Sequence, residues 1–182
     1  GTTPSLNTAP SLATLWAASG LLAETMPGSR LSLFTSLAVS RRNTWSFLRV
    51  AGVTRCAVME GDPNDPGYGG MVVGSIQVMD VYLQGRRVGF IQNLVVRDSC
   101  RRRGYGRALV AWAEQACAPS AKELVLVVDA GNMAANALYQ RLGFEPCGAT
   151  SQLQGSTAEA QLEGKLLMSR QLGGSPSSSD VT

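Results

Sequence analysis

The sequence predicts an α/β domain with a central mixed, mostly antiparallel sheet flanked by helices on both faces. Three observations predict it. Two long apolar runs, Met71 to Leu83 and Val88 to Val96, the first followed by a Gln84-Gly85 turn, read as an antiparallel hairpin. Leu124 to Val128 is apolar without alternation, as expected of a strand covered on both faces. Segments of helical period, Arg107 to Ala118 and Asn132 to Leu142, stand on either side of that strand. Helices, antiparallel strands, helix, strand, helix, strand is the order of a layered α/β fold.

Taken in order, residues 1–11 are rich in Thr, Ser, Pro and Ala and are expected to be a flexible N-terminus. Leu12 to Thr25 carries apolar residues at Leu12, Leu15, Trp16, Leu21 and Leu22, an irregular helix that Pro27-Gly28 ends. A further helix is expected within Leu31 to Val50, and a strand at Arg55 to Met59. Gly61 to Gly70 is a loop of Gly, Asp, Pro and Asn. After the hairpin come a helix, the buried strand Glu123 to Asp129, and a helix capped by Asn132. Ala135, Leu138, Tyr139 and Leu142 form its inner stripe and Gly143 stops it. A polar loop, Gly148 to Glu163, leads to a last strand, Gly164 to Gln171. Residues 12–172 thus read as one domain, and 173–182 as a disordered tail by composition.

A chain of 182 residues suits one domain with a full core. Its net charge of +3 is mild and does not argue for membrane or wholesale nucleic-acid binding. No apolar run reaches the roughly 18 residues of a membrane span. The four cysteines (Cys56, Cys100, Cys117, Cys147) lack metal-ligand spacing and, with no His in the chain, predict no metal site. They read as thiols of a reducing compartment. Cys100, beside three arginines, is either an oxidisable low-pKa thiol or a buried small hydrophobe. The absence of His excludes His-based triads, so the chemistry must use carboxylates, Tyr, backbone amides or water.

The positive charge is concentrated. Five of the sixteen basic residues lie between Arg97 and Arg107. Within that span, Arg101-Arg102-Arg103-Gly104-Tyr105-Gly106 joins a strand to a helix. Glycines allow close approach of an anion to the backbone, the helix start offers free N–H groups, and arginines add fork-shaped donors. Together they predict a pyrophosphate-sized ligand. No Gly-Lys-Ser or Gly-Lys-Thr exists, so this is not a P-loop, and Leu109 stands where a dinucleotide fingerprint needs its third glycine.

The pattern that remains, Arg101-x-x-Gly104-x-Gly106, resembles the acyl-CoA pyrophosphate loop of the GNAT superfamily of N-acyltransferases. A second stretch, Asn132-Met133-Ala134-Ala135-Asn136-Ala137-Leu138-Tyr139-Gln140-Arg141-Leu142-Gly143-Phe144, is similar to that family's Asn-x-x-Ala-x-x-Leu-Tyr-x-x-x-Gly-Phe signature. The resemblance covers Gly89 to Glu145 clearly and Arg55 to Leu172 more loosely. It implies the GNAT fold with splayed central strands, acetyl-CoA as co-substrate, no metal, and direct attack of an amine in a ternary complex. It also assigns roles. Leu94, Val95 and Val96 would meet the pantetheine arm, an amide there polarising the thioester carbonyl. Arg101, Arg102, Arg103, Gly104, Tyr105, Gly106 and Arg107 would hold the pyrophosphate. Asn132 and Ala135, with Asn136 close by, would lie along the cofactor arm, and Tyr139 would protonate the leaving thiolate; as a residue on the helix stripe, Tyr139 also reads as core packing. Asp98, Cys100 and Arg102 depart from the Pro, aromatic and Gly often found at their positions, which bears on the turn's shape.

The general base is open between Asp129, Asp80 and no dedicated group, with Gln92 and Asn93 placed to hold a water. Phe90 to Arg97 and Cys100 to Gly104 look similar to the plastid acetyltransferases of plants and algae. That implies a chloroplast location, with a cytoplasmic one as the alternative, and protein or peptide amines, N-terminal or lysine, as acceptors. The alternatives are a small-amine acetyltransferase and a catalytically silent acyl-CoA-binding scaffold. No aromatic platform accompanies the basic turn, which argues against specific nucleic-acid binding.

Overall fold

The computed structural model describes residues 4–11, 13, 14, 17, 18, 21, 48–147 and 161–173. The expected helix within 31–50 falls largely outside these residues, as do most of the polar loop at 148–163 and the tail beyond 173. Seven strands form one sheet: β1 (Ser5–Asn7), β2 (Leu48–Glu60), β3 (Val72–Leu83), β4 (Arg86–Val96), β5 (Glu123–Asp129), β6 (Glu145–Pro146) and β7 (Lys165–Gln171). Helix α1 (Tyr105–Cys117) connects β4 to β5, and α2 (Met133–Arg141) follows β5. The spatial order is β1-β2-β3-β4-β5-β7-β6. Only β4 and β5 run parallel; every other neighbouring pair is antiparallel.

The hairpin forms where the sequence places it. Gln84 (φ 50°) and Gly85 (φ 78°) are both left-handed, the geometry that matches the twist of two directly joined strands. On one face, Leu109, Val110, Ala113 and Cys117 of α1 and Tyr139 of α2 pack against Ile76, Val78, Ile91, Leu124 and Leu126. The contact is tight at Gly89, where a Cβ would come within 2.6 Å of Cys117 Sγ and 2.7 Å of Leu124. The other face buries Met79, Val81, Phe90, Val125 and Leu167 with Leu48 and Leu162. Beside them, Val58, Val72 and Val95 meet Ala18 and Leu21 of the N-terminal helical residues. Helices therefore cover both faces.

Two expectations are corrected, and one short strand is added to them. Residues 48–50, expected at the end of a helix, begin β2, because Leu48 to Val50 pair with Leu83 to Val81 at the end of the long hairpin strand. Ser5–Asn7, expected to be flexible, adds an edge strand opposite Glu60 to Val58, and Asn7 Nδ2 donates to Glu60 Oε1 at 3.1 Å. Glu145–Pro146 forms a short outer strand on β7, a place where proline's missing N–H is tolerated.

Candidate active site

The central strands part. β4 pairs with β3 all the way to Val96 opposite Gly74. With β5 it pairs only at Gly89, Phe90 and Ile91, opposite Leu124, Val125 and Leu126. Beyond that point β5 keeps its other edge on β7, ending with Asp129 opposite Lys165. Gln92 to Val96 and Val127 to Asp129 therefore line the two sides of a wedge, with no ladder between them. The cause is a bulge. Ser75 pairs with Val95 and Gln77 with Gln92, two steps on β3 against three on β4. The extra residue includes the left-handed Asn93 (φ 55°), and such a bulge bends its strand away from a neighbour. No ladder hydrogen bond joins this stretch of β4 to β5, so a guest carrying amides can pair with its free edge as an added strand would. Leu94 and Val96 pack toward the α1 face and Val95 toward the opposite one, so the wedge is walled by apolar side chains.

At the end of β4 the chain turns into α1. Arg97 N donates to Val73 O at 2.9 Å, and a single 3-10 turn, Asp98–Cys100, follows. Asp98 forms a 2.6 Å ion pair with Arg101, whose Nε also donates to Val96 O at 3.3 Å. Arg101 is thus a clasp across the turn, while Arg102 and Arg107 are exposed and form no ion pair among the described residues. Arg103 lies over the Tyr68 ring, 5.9 Å from its centroid. Arg102 (φ 65°) and Gly104 (φ 84°) are left-handed, which explains why glycine suits the position Arg102 holds. Such alternation curves the main chain into a concavity lined by N–H groups. The N–H groups of Gly104, Tyr105, Gly106 and Arg107 have no acceptor among the described residues, and the helix ladder starts with Ala108 N donating to Gly104 O at 3.1 Å. Four free donors, a helix dipole and three nearby arginines make a strong anion site.

The two glycines have separate tasks. Gly104 supplies the left-handed conformation, and a Cβ there would meet nothing within 4 Å. At Gly106 a Cβ would stand 3.2 Å from Leu138 Cδ2, so this glycine sets the approach of α2 to α1. Tyr105 packs its side chain against the core, half-buried. Cys100 is 1% exposed, which settles it as a buried small hydrophobe.

Helix α2 closes the site. Asn132 caps it by accepting from Ala135 N at 3.1 Å. Asn136 Nδ2 donates to Asp129 O at 3.3 Å and Ala130 O at 3.0 Å, tying the helix to the end of β5. Its buried Oδ1 has no partner among the described residues. Tyr139 sits in the same apolar cluster as Leu126 and Val128, with Leu94 and Val96 packed against that cluster. Its ring meets Phe144 edge-on at 5.7 Å. Burial pushes its phenol up to about 12.

The two carboxylate candidates differ. Asp129 is exposed at the end of β5, where Oδ1 accepts from Gly131 N at 2.9 Å. Asp80 is corrected. It is 2% exposed, and both its oxygens are taken, by Arg55 Nη2 at 2.6 Å and Arg87 Nη2 at 2.8 Å, with Ser120 Oγ at 3.2 Å from each. It pairs with Gly89, before the strands part, and its cluster belongs to the C-terminal end of α1. A carboxylate so saturated is a structural ion, not a base. Gln92 lies half-buried where the wedge opens. Sequence reasoning missed Gln77, which accepts from Asn93 Nδ2 at 2.6 Å. The available signal was an amide inside an otherwise apolar run. Among the described residues no group of His, Cys, Asp or Glu could hold a metal ion.

Comparison with known proteins follows this geometry. The sequence model of the acetyltransferase (GNAT) family matches residues 36–144. Solved structures share the fold. The GNAT family N-acetyltransferase YhbS from Escherichia coli, in complex with CoA, aligns with a TM-score of 0.65 and 18% identity, over 94% of this chain and 83% of its own. Arabidopsis thaliana NAA60 in complex with acetyl-CoA aligns with a TM-score of 0.64 and 14% identity, over 96% of this chain and 100% of its own. The same protein in complex with a bisubstrate analogue gives 0.61 and 17%, over 79% and 86%. No curated protein matches at the sequence level.

Proposed function

The chain belongs to the acetyltransferase (GNAT) family, and from that premise we propose that it moves an acetyl group from acetyl-CoA to a primary amine of a protein or peptide, an N-terminal α-amine or a lysine side chain. The observation that carries the reading is the wedge between β4 and β5, opening toward a turn with four free main-chain donors. An extended arm ending in a diphosphate is the ligand shape these two features fit together.

Acetyl-CoA supplies an acyl carbon activated as a thioester. The chain's own residues bind and orient it. Gly104 to Arg107 would take the diphosphate by their N–H groups, with Arg102, Arg103 and Arg107 adding charge. The edge of Leu94, Val95 and Val96 that faces away from β3 would pair with the arm, and an N–H there would stabilise charge developing on the carbonyl oxygen. Tyr139 is protonated at neutral pH, and burial raises its phenol further, to about 12. Against an ordinary thiol near 8.5 it is too weak an acid to surrender that proton outright. Its contribution is a hydrogen bond to sulfur, while the proton released by the amine leaves through water. Asp129, exposed at the end of β5, would receive that proton.

The acceptor class and a chloroplast location are supported by the similarity of Phe90 to Arg97 and Cys100 to Gly104 to the plastid acetyltransferases. The test is a peptide library bearing free N-termini and lysines, incubated with acetyl-CoA and read by mass spectrometry. Acetylated peptides appearing with stoichiometric CoA release are expected. CoA binding without release, or acetylation of small amines alone, would overturn the acceptor assignment.

A further inference from the structure

Asn93 is a non-glycine residue held left-handed inside a strand (φ 55°). Its neighbours across the ladder explain what holds it. Gln77, fully buried on β3, accepts a 2.6 Å hydrogen bond from Asn93 Nδ2. The register shift lies at this point, with Gln77 opposite Gln92 and Ser75 opposite Val95. The strands β4 and β5 separate one residue earlier, after Ile91. The other end of the Gln77 amide, Nε2, is buried with no partner among the described residues. A buried N–H left unmade is destabilising, and an apolar side chain of this size would avoid it. The bond that Gln77 does make is the one its oxygen accepts from Asn93. Backbone strain held by its surroundings at this point of the sheet motivates a functional reading.

We infer that Gln77 is a positioning residue for acetyl transfer: through the Asn93 side chain it locks the β4 bulge, and so fixes where the backbone of Leu94 and Val95 faces the wedge. The inference rests on the acetyltransferase reading for its consequence in turnover, but the lock itself is a property of the protein alone. Without the Gln77 oxygen, Asn93 relaxes toward an ordinary strand conformation. The amides beyond it then shift relative to the reacting carbonyl, whereas the diphosphate turn stays in place. Binding and turnover therefore separate.

The experiment uses Gln77→Met, which keeps length and removes the acceptor, and Asn93→Gly, which adopts the left-handed conformation without help from a side chain. For Gln77→Met, amide hydrogen exchange at Asn93 to Val96 in the protein without ligand should accelerate by about tenfold or more, with Gly89 to Ile91 unchanged. Turnover should fall by about 10- to 100-fold with little change in KM for acetyl-CoA. In the Asn93→Gly background, Gln77→Met should have no further effect on turnover, because its only route is gone. Unchanged exchange in Gln77→Met would overturn the lock, whether or not the protein turns over acetyl-CoA. Additive losses in the double variant would overturn the route through Asn93. Accelerated exchange in a protein that never acetylates an amine would leave the lock standing and remove the acetyltransferase reading instead.

Discussion

Burial in an apolar cluster weakens a phenol as an acid, and Tyr139 carries two consequences of it. The first is catalytic. A hydrogen bond from a phenol to a sulfur that gains negative charge is lost in Tyr139→Phe, so turnover should fall by about 10- to 100-fold, the worth of a bond to a charged group. Affinity for CoA measured by calorimetry should change little, since the ring and its contact with Phe144 remain. Equal turnover would leave Tyr139 as packing alone. The second is thermodynamic. The folded protein holds this proton to about 12, the unfolded chain to 10.0. The stability that follows is complete below pH 10 and is lost as pH rises toward 12. Denaturant titrations between those limits should show a decline that Tyr139→Phe lacks.

At the scale of elements, the turn into α1 has two glycines whose substitutions should behave differently. Gly104→Ala meets no atom within 4 Å, so its penalty is the left-handed backbone alone, roughly 1–2 kcal/mol. Gly104→Glu adds a negative charge beside the free donors, and CoA affinity by calorimetry should fall by about 100-fold or more at a comparable loss of stability. Unchanged affinity would remove the diphosphate assignment. This turn was legible because each of its devices is local: glycines, a helix start and clustered arginines. β5 was legible with its boundaries for a related reason, since cover on both faces leaves an unbroken apolar run, Leu124 to Val128. The first half of β2 was not, because pairing with the far end of β3 makes Leu48 to Val50 a strand, and nothing in those three residues announces it. The parting of β4 from β5 was implied by the family resemblance but not by the residues, for Asn93 looks like any polar strand residue until its φ is known. Gln77 acquires its meaning only from the register that sets it beside Asn93.

Across the whole molecule, the sheet separates a working end from a structural one. Asp80 was a candidate base because a sequence cannot show that Arg55 and Arg87 converge on it from β2 and β4, with Ser120 closing from beyond α1. The thirteen residues of α1 put about 20 Å between that cluster and the diphosphate turn. Asp80→Asn leaves two guanidiniums facing a neutral amide in a mostly buried place. Loss of one partner of a fully buried ion pair is strongly destabilising, but both arginines are partly exposed (29% and 42%), which lowers the effect. The expected loss is about 2–4 kcal/mol, a fall in Tm of roughly 5–15 °C for a chain of this size. CoA affinity and the pH profile of turnover, measured below the lowered Tm, should match the unsubstituted protein, because no proton of the reaction reaches Asp80. A collapse of turnover with an unchanged Tm would reverse this assignment and make Asp80 a participant in the chemistry.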